Sequence, residues 1–423
     1  MPVRRLPVVP NLDQLKHQAR DLLRAMHSGD SAAIAELREF HPDGIAPSDT
    51  KLADAQLILA RSYQATSWPR LVQAVELVDA IWKDDIDAVR ALVTKNPSLI
   101  QEQTLLRADS NWGPPMSYAA NAGRDRIIQL LHDLGARDHR TAFGRAVLQS
   151  KVGTAKLIRS LAGLPSMPDD GLGGPAYTLS VEGTAYVLSL GARMYDDDGT
   201  LLAPFETVVS TDARNPEAKH AILELYVRHG LRLPDTAPMA LHRGRLDLLE
   251  AHLRRDPGLL SRTFSHDEIY PRALGCMDPI DATTGTPLDG TTLLHMCVEY
   301  DELEIARWLL DRGMDPDVRA RVGASGFGGF TALFNTVVSQ PNFWMNYRKR
   351  GPFVAPCTEL LLSRGANPNP RASIWKRLHP GHGDTARHEY HDVTPLSYGQ
   401  RFHAPIFVSQ PAMQLIRAAG GKE

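Results

Sequence analysis

A unit that pairs two short helices recurs along this chain, and such repetition constrains the fold more than any other feature of the sequence. The clearest copy is GTTLLHMCVEYDELEIARWLLDRGMDPD, residues 290–317. Its second half carries apolar residues at the spacing of one helix face: Leu303, Ile305, Ala306, Leu309 and Leu310. Gly313 follows them as the left-handed residue at which helices often end. A lone helix pair cannot bury this stripe, so neighbouring copies must stack and share a core.

Other segments repeat parts of this unit. The better copies lie at residues 119–136, 240–253 and 359–369, and weaker ones lie at 83–93, 218–230 and 394–396. Three glycines that end such units, Gly135, Gly163 and Gly191, are 28 residues apart. The pattern therefore predicts an elongated series of helix pairs in place of one large globular core.

The unit resembles the ankyrin repeat, whose pattern is G-x-T-P-L-H-x-A-A-x-x-G, a second helix, and L-L-x-x-G-A-D. Gly290, Thr292 and Leu294-His295 match the opening of that pattern, and Gly365-Ala366-Asn367 matches its end. The resemblance is to degenerate, bacterial-type repeats with insertions. It implies an all-α fold, an ankyrin-repeat solenoid of helix-turn-helix units with loop insertions. It also implies that His295 makes structural hydrogen bonds between units.

The match to this pattern is weaker in the first eighty residues. We predict N-terminal degenerate helical repeats over residues 1–78 and an ankyrin-repeat domain over residues 79–423. Within the first region, Ser67-Trp68-Pro69 predicts the start of a helix, because proline is favoured in the first turn.

Insertions interrupt the C-terminal half. Thr292 and Thr331 are 39 residues apart, and Thr331 and Thr394 are 63 residues apart, both longer than one unit. We place the insertions near residues 260–287, 339–357 and 371–393. Insertions in repeat proteins usually emerge on one face, often the binding face, so these predict a shaped site.

Partner binding is the function that this pattern favours. We expect a cytoplasmic module that contacts a protein partner through aromatic anchors, for which Trp112, Phe327 and Phe330 are the candidates. The two phenylalanines belong to the glycine-rich stretch 323–330, which predicts a finger between repeats. On such a finger they either pack beneath the loop or face a partner. No residue pattern indicates a catalytic centre.

An enzyme or a small-ligand receptor is the alternative. Acid–base side chains are dense in two of the insertions, namely His266, Glu268 and Tyr270 in one and His388 and His391 in another. A deep pocket that gathers these side chains would favour this alternative, whereas a shallow continuous surface would favour the binding module.

Several classes of ligand are not expected. The formal net charge of −2 argues against a broad electrostatic grip on nucleic acid, and no apolar run approaches the roughly 18 residues of a membrane span. His388 and His391 lie one residue short of the H-E-x-x-H spacing, in a segment broken by glycine and proline that predicts a loop. We therefore predict no metal and no cofactor. Cys276, Cys297 and Cys357 form no C-x-x-C pair and predict reduced thiols.

Overall fold

The computed structural model of the chain describes residues 4, 6, 7, 9–101, 113–164, 171–211, 213–276, 285–338, 354–377 and 386–423. These residues are mostly helical and divide into two compact units, Met1–Met167 and Pro168–Glu423. The boundary predicted between residues 78 and 79 falls inside a helix, and the division into 1–78 and 79–423 stays a prediction about how regular the repeats are.

The first unit is built from nine described helices. They are α1 (Leu12–His27), α2 (Ser31–Phe40), α3 (Leu52–Ser62), α4 (Trp68–Lys83), α5 (Ile86–Lys95), α6 (Pro115–Ala122), α7 (Asp125–Asp133), α8 (His139–Leu148) and α9 (Val152–Ala162). As predicted, α4 begins after Ser67, whose hydroxyl accepts a hydrogen bond from the backbone amide of Arg70. Helices α4, α6 and α8 pack in succession, and so do their partners α5, α7 and α9.

The second unit begins with α10 (Gly173–Tyr177), α11 (Val181–Ser189), α12 (Phe205–Val209) and α13 (Pro216–Arg228). The pairs that follow are α14 (Ala237–His242) with α15 (Leu246–Arg255), and α17 (Leu293–Glu299) with α18 (Leu303–Asp311). The short α16 (His266–Ile269) lies between those pairs. The last helices are α19 (Ala332–Val337), α20 (Pro356–Ser363), α21 (Pro395–Arg401) and α22 (Gln410–Ala418). The first helices of the four C-terminal pairs, α14, α17, α19 and α21, pack in succession.

The best sequence copy shows why neighbouring pairs hold together. Thr292 caps α17, and its hydroxyl lies 2.9 Å from Nδ1 of His295. Nε2 of the same imidazole donates to the carbonyl of Phe330, in the next unit, over 3.1 Å. The structural role that the resemblance implies for His295 is thus confirmed. Burial lowers the pKa of this imidazole to about 4, so the neutral ring makes both bonds.

The described parts of the predicted insertions include regular elements. The insertion near 260–287 contains α16, and helix α20 already begins at Pro356, inside the insertion predicted over 339–357. The insertion over 371–393 includes an antiparallel hairpin of β1 (Ala372–Lys376) and β2 (His388–Val393), so the loop predicted for this segment was wrong, although the described fold is mostly helical as predicted. Alternating burial along β1 gives the physical reason, because one face of the strand packs on the core.

Candidate partner-binding surface

A finger joins the α17–α18 pair to α19. Its two arms bond to each other between Ala320 and Phe330, and the arm after the turn bonds to β1, where Gly328 donates to the carbonyl of Ser373 over 2.7 Å. Gly328 has φ +125°, and a side chain there would meet the Arg321 carbonyl at 2.1 Å. The prediction that the glycine-rich stretch forms an inter-repeat finger is confirmed.

The hairpin continues this backbone pairing and presents one face outward. Ala372, Ile374 and Lys376 of β1 are buried, whereas Trp375 is only partly buried. In the register of the hairpin Trp375 lies opposite Glu389 of β2. Side chains of a strand alternate between its two faces, so Trp375 and Arg377 share the outward face.

Four side chains meet on this outward face. The guanidinium of Arg387 lies 4.7 Å from the ring centre of Trp375 and 5.3 Å from that of Phe327. The ring of His391 lies 5.2 Å from the ring of Phe327. With Glu389, these residues form what we call the finger–hairpin surface. Two predicted residues, Phe327 and His391, are therefore neighbours, although the sequence assigned them to rival functions.

The charges of this surface are only partly matched. Nε of Arg387 and Oε1 of Glu389 form an ion pair 2.8 Å apart, and Nε2 of His391 lies 3.3 Å from the same carboxylate. Among the described residues, the terminal amino groups of Arg387 have no hydrogen-bond partner. The side chains of Arg321 and Arg377 likewise have no ion-pair partner within the described part of the chain. Cationic donors thus share this surface with partly buried aromatic rings.

The other two predicted anchors do not join this surface. Phe330 is 4% exposed and packs edge-on against the rings of His295 and Phe334, so it is a core residue and its assignment as an anchor was wrong. Its backbone is the partner of His295, which holds it beneath the finger. Trp112 lies outside the described residues.

Three residues of the alternative pocket, His266, Glu268 and Tyr270, make local contacts. Glu268 completes a capping box with Ser265 at the start of α16 and pairs with Arg262 over 2.8 Å. Tyr270 is buried, and its hydroxyl is hydrogen-bonded to that of Tyr300. The ring of His266 lies 4.9 Å from the ring of Tyr270.

The two histidines of the hairpin have different environments. His388 stacks on His403 with ring centres 3.6 Å apart, and Nδ1 of His403 lies 2.6 Å from the hydroxyl of Tyr390. His391 is 67% exposed and belongs to the finger–hairpin surface. Both lie on β2 and not in a loop, which corrects the expectation for this segment.

A buried charge cluster in the same unit was missed by sequence reasoning. Arg214 pairs with Glu299 over 2.6 Å, at side-chain exposures of 1% and 0%, and Lys219 pairs with Glu302 over 2.8 Å. The ring of Tyr300 lies 4.8 Å from the Arg214 guanidinium and 4.4 Å from the Lys219 ammonium. We call these five residues the buried charge cluster. The signal was the run Glu299-Tyr-Asp-Glu302, which begins at the last residue of an apolar helix.

Pairing and burial act against each other in this cluster. Burial raises the pKa of Glu299, and Arg214 opposes that effect only in part. For Glu302, burial is outweighed by Lys219 and His220, and its pKa is lowered. Burial lowers the pKa of Lys219, an effect that Glu302 opposes. The cluster is therefore stable only while each buried charge keeps its partner.

The described residues also bear on metal ions, disulfides and membranes. Within the described ranges, no group of three or more His, Cys, Asp or Glu side chains is placed to hold a metal ion. The three cysteines are buried and form no disulfide with one another. In the same part of the chain, no helix has the length and apolar character needed to cross a bilayer.

Comparison with known proteins supports the repeat. A family model described as Ankyrin repeat matches residues 289–321, which hold Thr292, His295 and the first arm of the finger. No curated protein matches the chain. Ankyrin repeats in general mediate protein–protein interactions. The chain thus contains an ankyrin repeat, the segment whose finger leads into the finger–hairpin surface.

Proposed function

We propose that this chain is a protein-interaction module that binds a partner through the finger–hairpin surface. In this proposal the helix pairs form a solenoid of degenerate ankyrin-type units in a cytoplasmic protein, and the C-terminal insertions supply the contact residues. The matched repeat at residues 289–321 supports the general class of function, because ankyrin repeats in general mediate protein–protein interactions, and its last residues form the first arm of the finger.

One observation carries the choice of surface. The Arg387 guanidinium lies over both the Trp375 ring and the Phe327 ring at the outward face of the hairpin, 4.7 Å and 5.3 Å from their centres. Tryptophan and arginine are the residues most enriched among those that dominate binding energy at protein interfaces. Stacking fixes the side chains before a partner arrives, and less conformational entropy is then lost on binding.

The chain itself offers a matched control. Trp308 on α18 is also partly buried, and the guanidinium of Arg312 lies 4.0 Å from its ring centre. That pair has the same chemistry, but Arg312 is held by Glu250 over 2.7 Å. Comparing a replacement of Trp375 with a replacement of Trp308 therefore shows whether binding depends on where a Trp–Arg pair lies or only on its two residue types.

Site-specific photo-crosslinking tests the proposal. A benzophenone amino acid replaces Trp375 in one full-length protein and Trp308 in another, and each is irradiated in lysate of the host. We expect a discrete crosslinked protein from position 375 that is absent from position 308. The same products at both positions, or none at 375 in a folded protein, would contradict the proposed surface.

A further inference from the structure

We infer that the segment bound at the finger–hairpin surface is an acidic polypeptide, an inference that rests on the proposed function. Five exposed arginines lie on the finger (residues 319–329) and around the two strands (residues 371–377 and 386–393). They are Arg319, Arg321, Arg371, Arg377 and Arg387. They carry only two carboxylates, Glu389 and Asp392. The whole chain, by contrast, has a formal net charge of −2, so the positive charge is concentrated here.

The arginines differ in what they already bind. Arg371 is paired with Asp392, which it contacts over 2.6 Å, and Arg319 donates to the backbone carbonyls of Gly329 and Arg371. Arg321, Arg377 and the terminal amino groups of Arg387 have donors left over among the described residues. A ligand recognised here must therefore supply acceptors with negative charge.

The geometry at Arg387 suits a carboxylate. Its Nε forms an ion pair with Glu389, and its planar guanidinium lies over the rings of Trp375 and Phe327. The edge with the terminal amino groups stays available for a bidentate bond, which matches the two oxygens of a carboxylate. The flanking rings supply apolar contact for the rest of an incoming side chain.

Two observations favour an acidic protein over nucleic acid. Glu389 lies within the surface and would repel a continuous phosphate backbone, whereas separate carboxylates can be spaced around it. Affinity for nucleic acid grows with the number of phosphates that cationic side chains neutralise, and this surface holds few cations for that purpose. An Asp- or Glu-rich segment is the occupant that these features fit.

Fluorescence anisotropy with the full-length protein tests this inference. The probes are labelled twelve-residue polyglutamate, twelve-residue polylysine and a twelve-nucleotide strand of thymidines. We expect polyglutamate to bind more tightly than either other probe, and its affinity to fall by about tenfold or more when salt rises from about 0.05 to 0.5 M, because exposed charges are screened.

Matched double variants locate the binding. Arg377→Ala with Arg387→Ala should weaken polyglutamate binding by about tenfold or more, since two charge-assisted contacts are lost. Arg228→Ala with Arg254→Ala removes the same charge from exposed helix positions and should change the affinity by less than about twofold. Equal losses in the two double variants would overturn the inference, as would tighter binding of the thymidine strand.

The two proposals fail in different ways. If position 375 crosslinks a partner through a segment without Asp or Glu, the interaction surface stands and the acidic partner is wrong. If position 375 yields no specific crosslink, the proposed function is wrong as well.

Discussion

The finger–hairpin surface and the buried charge cluster use the same chemistry in opposite settings. Each places cationic side chains against an aromatic ring and beside a glutamate. In the cluster, Glu299 and Arg214 are almost fully buried and paired. At the surface, Arg387 and Glu389 are each 40% exposed, and Arg387 keeps unused donors. Burial and pairing, not residue type, thus separate a structural cluster from a binding surface.

The largest effect is expected from breaking a pair in the buried charge cluster. Glu299→Ala leaves the Arg214 guanidinium buried without its carboxylate, so the free energy of unfolding should fall by about 3–5 kcal/mol. Glu224→Ala removes the partner of Arg243, whose contact at 2.6 Å is equally short but lies nearer to solvent, and should cost less than about 1 kcal/mol. Urea unfolding measures both losses. Equal losses would show that burial does not distinguish these pairs.

The second-largest effect is expected from acid, which should lower the free energy of unfolding through the buried His295. The pKa of His295 is about 4 in the folded chain, below its ordinary 6.5, so the unfolded state binds a proton that the folded state excludes. Its contribution is complete above pH 6.5 and is lost as the pH falls towards 4, a loss of roughly 3 kcal/mol. Unfolding midpoints between pH 7 and 4 should therefore fall.

Two histidine variants test whether His295 causes this fall in stability with pH. His295→Gln should flatten the decline between pH 6.5 and 4, and His391→Gln, on the exposed surface, should change it less. A decline of the same steepness in both variants would mean that His295 does not set the acid sensitivity.

A smaller loss of stability is expected from crowding His220, which contacts the buried charge cluster. Gly244 has φ +66°, and a side chain there would lie 2.1 Å from Nδ1 of His220, whose Nε2 contacts Glu302 over 2.9 Å. Gly230 also has a positive φ but open space around it. Gly244→Ala should therefore lower the free energy of unfolding by about 1–3 kcal/mol more than Gly230→Ala, because only the first substitution adds a steric clash. Thermal or urea unfolding checks the difference, which vanishes if backbone strain alone matters.

The sequence predicted the parts of the fold that local chemistry determines. Thr292 and His295 follow a short motif whose capping bond and inter-unit bond are both present. The glycine-rich stretch 323–330 correctly indicated a finger, because positive φ at Gly328 is a local requirement. Phe330 could not be placed, because the same finger allows a phenylalanine to pack inward or outward.

The rest depended on contacts between distant segments. The hairpin was missed because its two strands are separated by a glycine- and proline-rich segment, and the alternation in Ala372–Lys376 covers only five residues. Arg214 and Glu299 are 85 positions apart, and no spacing rule predicts that they pair. Trp375 and Arg387 went unnoticed for the same reason, since their meeting with Phe327 requires both the finger and the hairpin.

A direct comparison of stability with binding tests the central claim, that the finger–hairpin surface binds an acidic partner. The measurement is the amount of polyglutamate probe bound by Arg387→Ala relative to the unaltered protein, with the free energy of unfolding determined on the same samples. We predict a clear loss of probe binding with a stability change within about 0.5 kcal/mol, as expected for an exposed ion pair. Unchanged binding, or a loss that merely follows a large destabilisation, would contradict the account.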